Sequence, residues 1–247
     1  MKRHFRVAIF CMLSFFVSCI NKEHISFENN FVSKGGYDNK GLEVGKWQVF
    51  NKSDNRLIEE GNFSDGLRIG EWHYNIQTSD TIVWTPFNSK SGTIKTNIPN
   101  FLKLVEENEN LIRFNYMDSD RLFNLVIGKN YINDSTSLEK YQNLIYTDLS
   151  NRRIHVIDSA TNYIETSQGK KYLFSFIDGS SLQSEDFILL NIAGQVNGEF
   201  IEISLRCDKK YNSKARKVFF SVLPNLFLNS HRFITPEDMI TNLSNIR

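Results

Sequence analysis

The sequence predicts an α+β chain in two parts. N-terminal antiparallel β-hairpin repeats come first, followed by an α/β/α sandwich built on an antiparallel sheet. Three observations carry this expectation. A pattern of Gly and Trp recurs at a spacing of 25 residues between Gly36 and Trp72. A capped amphipathic helix follows a pair of strand candidates. A run of strand candidates then leads into a second amphipathic helix near the C-terminus.

Composition sets the outer bounds. The chain has 247 residues, room for one large domain or two modest ones. Hydrophobic residues make up 40% and charged residues 23%, which is the balance of a folding chain. With 29 basic and 28 acidic side chains the net charge is +1, which argues against a dedicated nucleic-acid binder. The 3 cysteines are too few for a disulfide scaffold. No apolar run is long enough to span a bilayer as a helix.

The N-terminus reads as an address. Lys2, Arg3, His4 and Arg6 give a basic start, and Val7 to Val17 is almost wholly apolar. A charged region, a short apolar region and a small residue describe a secretory leader. Phe16-Val17-Ser18-Cys19 resembles a bacterial lipoprotein box, in the relaxed form seen in the Bacteroidota. The resemblance implies a signal peptide over 1–18, lipid on Cys19, and anchoring to the inner or outer membrane of a bacterial cell envelope. The alternative is an ordinary cleaved leader with a chance cysteine. Without residues 1–18 the chain carries 26 basic and 28 acidic side chains, net −2. Cys207 is then the one cysteine besides Cys19, and its neighbours Leu205 and Ile203 suggest a strand and a small buried thiol. Residues 19–34 are polar without clear period and read as a tether.

The repeats occupy 35–86. Gly36, Gly41, Leu42, Gly45 and Trp47 recur as Gly61, Gly66, Leu67, Gly70 and Trp72. Alternation around Trp47 and Trp72 has the period of a strand. Ser53-Asp54-Asn55 is turn chemistry, so Lys46 to Phe50 is expected to pair with Arg56 to Phe63. The segments GLEVGKWQVF and GLRIGEWHYN resemble the MORN-type repeat in its bacterial variant, in which each repeat is a β-hairpin. Two repeats bury little, so Thr81 to Thr85 is expected to add a strand. Trp47 and Trp72 are read as repeat core, with a recognition face as the alternative. Pro86 to Thr96 reads as a domain boundary.

The second part runs over 95–247. Leu111 to Met117 and Arg121 to Lys129 are strand candidates around the turn Asp118-Ser119-Asp120. Thr136 and Glu139 form a capping box, and Leu138, Tyr141, Ile145 and Leu149 then share one helical face. Strand candidates follow at Arg153 to Asp158, Tyr163 to Ser167, Lys171 to Asp178, Phe187 to Ala193 and Glu199 to Cys207. Asn197-Gly198 marks a tight turn between the last two. A closing helix begins near Ser213, with Ala215, Val218, Phe219 and Val222 facing inward and Pro224 ending it. Thr235 to Asp238 opens a short further turn of helix. The layout, with IPNFLKLVEENENLIRF at its start and KVFFSVLPNLFL near its end, resembles the PsbP-like fold. That family implies protein binding or assembly work and offers no catalytic residues to carry over.

Reactive chemistry is sparse. His24, His73, His155 and His231 lie far apart, and no C-x-x-C or H-E-x-x-H spacing occurs, so no metal or cofactor is expected. No G-x-S-x-G elbow or phosphate loop is present. Glu106, Glu107 and Glu109 read as a solvated turn. Arg206, Lys209, Lys210, Lys214, Arg216 and Lys217 form a basic cluster, either a contact patch for anionic headgroups or an acidic partner, or a solvated loop and helix face. The expected function is a non-enzymatic lipoprotein acting as a protein-interaction or assembly module on a membrane. The alternatives are an immunity or antitoxin-type protein, or a small-ligand binder with a largely apolar pocket.

Overall fold

The computed structural model describes residues 23–28, 31–75, 80–116, 119–129, 137–181, 184–196, 198–235 and 238. The leader and Cys19 lie outside these residues. The described architecture is two antiparallel sheets with two α-helices.

The first sheet is a meander of β1 (Glu23–Glu28), β2 (Phe31–Tyr37), β3 (Glu43–Asn51), β4 (Leu57–Ser64), β5 (Leu67–Tyr74), β6 (Asp80–Asn88) and β7 (Ile94–Pro99). The second contains β8 (Leu102–Glu107), β9 (Leu111–Tyr116), β10 (Ser119–Lys129), β11 (Ile154–Glu165), β12 (Lys171–Ser181), β13 (Ser184–Val196) and β14 (Glu199–Asp208). Its strand order is β11-β12-β13-β14-β10-β9-β8. Helix α1 (Leu138–Asn151) crosses from β10 to β11, and α2 (Asn212–Val222) follows β14. Two short strands, β15 (Phe227–Leu228) and β16 (His231–Arg232), then return to the first sheet, where β15 pairs with β7.

Several expectations change here. Residues 19–34, expected as a tether, contain β1 and the start of β2, which pair from Glu23↔Gly36 to Glu28↔Phe31. Backbone groups along an extended polar segment can complete a ladder at a sheet edge as well as an apolar one can. The boundary expected over Pro86 to Thr96 is the hairpin joining β6 to β7. Polar turn residues signalled a break, but the turn lies inside the first sheet. The two strand candidates after α1 are one long strand, β11, and a bulge around Ile157 broke its period. Helix α1 is capped by Ser137, whose hydroxyl accepts from the Lys140 N–H at 3.2 Å, one residue after the expected cap.

The repeat is real in geometry but differs by one residue from its reading in sequence. Trp47 lies over Gly35, and Trp72 lies over Gly61. A Cβ at either glycine would overlap the indole. The Trp47 Nε1–H donates to the Gly36 carbonyl at 3.2 Å, and the Trp72 Nε1–H donates to the Asn62 carbonyl at 3.0 Å. Tyr37 meets Trp47 edge to face at 5.1 Å, and Phe63 meets Trp72 the same way at 5.0 Å. The true equivalents are therefore Gly35 with Gly61 and Tyr37 with Phe63. The turn between aromatic ring and glycine has one residue more in the first hairpin. Gly41 and Gly66 close the two turns, and Gly45 and Gly70 enter the following strands, all with φ between +62° and +77°. Side chains are strained there, so glycine is the residue the backbone requires.

The centre of the second sheet is aliphatic, with Phe114, Phe123, Tyr172 and Phe174 buried around it. Leu125, Ile127, Leu190, Ile192, Ile203 and Leu205 are fully buried on one face, each alternating with a residue of the other face. That face packs on α2 and on the first sheet in one continuous core. Ala215, Val218, Phe219 and Val222 of α2 are buried in it, as their helical spacing requires. The opposite face carries α1, with Tyr141 set against Leu173, Ala193 and Phe200. The expected α/β/α sandwich is thus present only as helices on a sheet. On one side the layer is shared between α2 and the first sheet, which the three-layer picture lacks.

Candidate functional site

Outer strands decide what the surface offers, because their outward backbone groups lack a neighbouring strand. Among the described residues these strands in the second sheet are β8 and β11. Among the described residues the large exposed apolar side chains are Leu104 and Val105 on β8, Leu144 on α1, and Ile157 and Tyr163 on β11. Four of these five sit on the two outer strands. Ile157 is 50% exposed and Tyr163 55%. Sequence reading missed both as a surface because it divided β11 in two. The signal was there as a twelve-residue stretch without Pro, Gly, Lys or Arg.

The six basic residues are close in space but do not form a free positive patch. Lys209 meets Asp178 at 2.6 Å, Lys210 meets Asp208 at 3.0 Å, and Lys217 meets Asp80 at 3.7 Å. Arg206 lies over the Phe187 ring, Lys214 over Phe101 and Arg216 over Phe176. Each cation is held locally by a carboxylate or by an aromatic face. Asp208 lies within the stretch itself, but the other aspartates and the rings come from elsewhere in the chain, so the stretch read alone is dominated by one sign of charge. Trp47 and Trp72 are buried, so their rings serve the core and present no recognition face.

Two buried polar assemblies were invisible in sequence. The first joins the first sheet to α2 through Tyr74. Its hydroxyl receives the Trp84 Nε1–H at 3.1 Å and lies 3.1 Å from Ser221 Oγ of α2. Arg68 stacks on Trp72 with its guanidinium carbon 3.7 Å from the ring centroid, and it donates to Glu59 at 2.8 Å. Glu43 occupies the position of Arg68 in the preceding repeat. It takes both arms of Arg232 from β16, at 2.8 Å and 2.5 Å. The same repeat position thus carries opposite charges, each with a buried opposite partner. Charged residues at an inward position of a strand were the one available clue.

The second assembly lies under α1. Asn191 donates to Glu202 at 2.8 Å and to the Tyr141 hydroxyl at 3.0 Å. Burial pushes the Glu202 carboxyl above the ordinary carboxylate range, helped by Asp148 and opposed by the Tyr141 and Asn191 hydrogen bonds. Ser175 lies between Thr161 and Asn191 across the sheet, and the hydroxyls of Ser175 and Thr161 lack hydrogen-bond partners. Cys207 is fully buried, and burial with the neighbouring Asp208 charge pushes its thiol up to about 12. A thiol so placed is almost wholly protonated near neutrality and packs as a small apolar group.

A small, shallow cleft opens where the β6–β7 turn meets the β8–β9 turn. The hydroxyls of Ser89, Ser91 and Thr93 form a chain that ends on Lys129 Nζ, 3.1 Å from Thr93 Oγ1. Lys129 also faces Glu199 at 3.5 Å. The lining mixes hydroxyl, amide and charged groups with Ile94, Leu111, Ile112 and Ile127. Among the described residues no helix is long and apolar enough to cross a membrane.

No protein-family model matches the chain, and no curated protein matches it. Solved structures do. Cyanobacterial PsbP (CyanoP) from Synechocystis sp. PCC 6803 is similar over 59% of this chain and 92% of its own, at 12% identity and a TM-score of 0.45. A protein of unknown function from Pseudomonas aeruginosa is similar over 55% of this chain and 93% of its own, at 8% identity and a TM-score of 0.35. A third, from Bacteroides thetaiotaomicron, covers 58% of this chain and 47% of its own, at 15% identity and a TM-score of 0.31. These are likenesses of outline and assign the chain no activity.

Proposed function

We propose that this chain is a non-catalytic interaction or assembly module held on a bacterial membrane by lipid at Cys19. In this reading MORN-type hairpins are fused to a PsbP-like body, and the work is done by the outer strands of the second sheet. The observation that carries it is the placement of Leu104, Val105, Ile157 and Tyr163 in the open on those strands, while the paired tryptophans are buried and Lys209 and Lys217 of the basic cluster have carboxylate partners within the chain. Unpaired strand edges bearing apolar side chains are surfaces onto which another chain can add.

The test is a crosslinked pull-down of the tagged full-length chain from native membranes, beside a Cys19→Ala control. A stoichiometric partner captured by the parent and lost in the control is the expected result. Equal fractionation of both forms away from membranes would overturn the anchoring. A turnover abolished by one point substitution would overturn the non-catalytic reading.

A further inference from the structure

We infer that the chain stands on the membrane by one end of its first sheet, the end that gathers the β2–β3, β4–β5 and β6–β7 turns, with that face against the lipid headgroups. The inference rests on the reading of Cys19 as lipid-bearing and names the surface that the anchor brings to the bilayer.

The argument begins with reach. β1 opens at Glu23 and pairs there with Gly36. Four residue steps separate Cys19 from Glu23. Fully extended, they span no more than about 14 Å. A tether running from 19 to 34 would have allowed about 50 Å. The pairing of β1 removes most of that length, so Glu23 is held close to the anchor. Whatever shares its end of the sheet is carried to the surface with it.

The register says what shares that end. Gly36 also faces Val44, and Gly45 faces Phe63. Ser64 meets Leu67 across the β4–β5 turn. β6 runs toward the same end, from Asp80 beside Tyr74 to Trp84 beside Gly70, and leads into the β6–β7 turn. The Asn229 N–H donates to the Thr93 carbonyl at 2.8 Å, which brings the β15–β16 turn alongside. The Lys90 N–H donates to Glu107 at the end of β8. The Gly66 N–H donates to the Glu43 carbonyl at 3.0 Å, and Arg232 holds the Glu43 carboxylate. These contacts make the turns one continuous face.

Its chemistry suits headgroups and not acyl chains. Asn39, Lys40, Asp65, Lys90, Ser230 and His231 are exposed there. Among the described residues the large exposed apolar side chains all lie elsewhere. Ammonium, amide and hydroxyl groups can donate to lipid phosphates, and lysines are drawn to an anionic surface. Asp65 offsets part of that pull. The short reach therefore selects the face, and its polar groups let it rest among headgroups. The β3–β4 turn, at the other end of β3, is about 25 Å further from the bilayer.

The experiment uses the full chain as purified from the membranes of the cells producing it. It is reconstituted into vesicles of phosphatidylethanolamine and phosphatidylglycerol, with an energy acceptor on a small share of the headgroups. Lys90→Cys places a donor dye on the β6–β7 turn, and Ser53→Cys places one on the β3–β4 turn. Cys207 is buried and lipid occupies the Cys19 thiol, so each variant takes dye at one position. The expected result is about twofold more energy transfer from position 90 than from position 53, given the ~25 Å between the two ends of the sheet. Inserting about 20 Gly and Ser residues between Lys22 and Glu23, a coil of about 25 Å, should erase that contrast. Transfer from position 53 equal to or above that from position 90 would overturn the inference, as would a contrast that survives the insertion. A chain that does not float with the vesicles would remove the anchoring and this inference together. A chain that floats but transfers equally from both positions removes this inference alone.

Discussion

The two sheets reach one common core by different chemistry. In the first sheet, indole rings fill notches left by glycines, and each ring is held by an N–H to a carbonyl. In the second, aliphatic side chains alternate along the strands and make no polar contact. A ring seated on backbone depends on one glycine and one geometry. An aliphatic layer depends on total volume and yields gradually when volume is lost. The first sheet should therefore fail abruptly at single positions, and the second in proportion to what is removed.

The sharpest test is Gly61→Ala. The new Cβ would overlap the Trp72 ring, so the ring or the strand must move. A loss of about 3 kcal/mol in denaturant unfolding is expected. Gly70→Ala is its control: nothing lies within 4 Å of a Cβ there, and its positive φ alone should cost about 1 kcal/mol. Equal losses at the two positions would break the distinction between a notch and a turn.

Tyr74→Phe comes next. It keeps the ring but removes the oxygen that receives the Trp84 N–H and faces Ser221 and Arg68. Leaving buried groups unpaired should cost about 2 kcal/mol. A loss within experimental error would show that the join between the first sheet and α2 is held by apolar packing alone. In the second sheet, Ile203→Val deletes one methylene from a fully buried side chain and should cost about 1 kcal/mol. A loss above that of Gly61→Ala would reverse the comparison.

The smallest effect depends on pH. Burial raises the Glu202 carboxyl, so the folded chain holds that proton to a higher pH than the unfolded chain. Its contribution is fully present below the unfolded value of about 4.3 and is lost as pH rises through the raised folded value. Glu202→Gln keeps an acceptor for Asn191 and carries no charge. The variant should melt with the parent near pH 4 and above it near pH 8. An offset of the same size at both ends would mean that charge is not the cause.

Much of the local structure was legible because its causes are local. The helical spacing of Ala215, Val218, Phe219 and Val222 named the buried face of α2, and the same spacing placed Tyr141 and Leu149 under α1. Ser53-Asp54-Asn55 marked the β3–β4 turn, where Asn55 has φ +54°. The repeat was found, but its register was not. Gly36 stands 25 residues from Gly61, yet Gly35 is the glycine under the ring, because an added turn residue shifts one strand without disturbing the Trp spacing. β11 was misread because a bulge interrupts a period of two, and period is all that a strand shows in sequence.

By itself, the order of residues determined which segments turn, which faces are apolar, and that Gly and Trp must cooperate in the first sheet. Each of these depends on neighbours within a few residues. Only the tertiary structure decided that β15 and β16 return across the chain to close the first sheet, tying Arg232 to Glu43. It also decided that five of six cations on one short stretch would be held by aspartates and rings from elsewhere. Such pairings join residues far apart in the chain. They follow from the single arrangement in which both sheets bury their apolar faces together while Glu43 and Arg68 still meet their opposites.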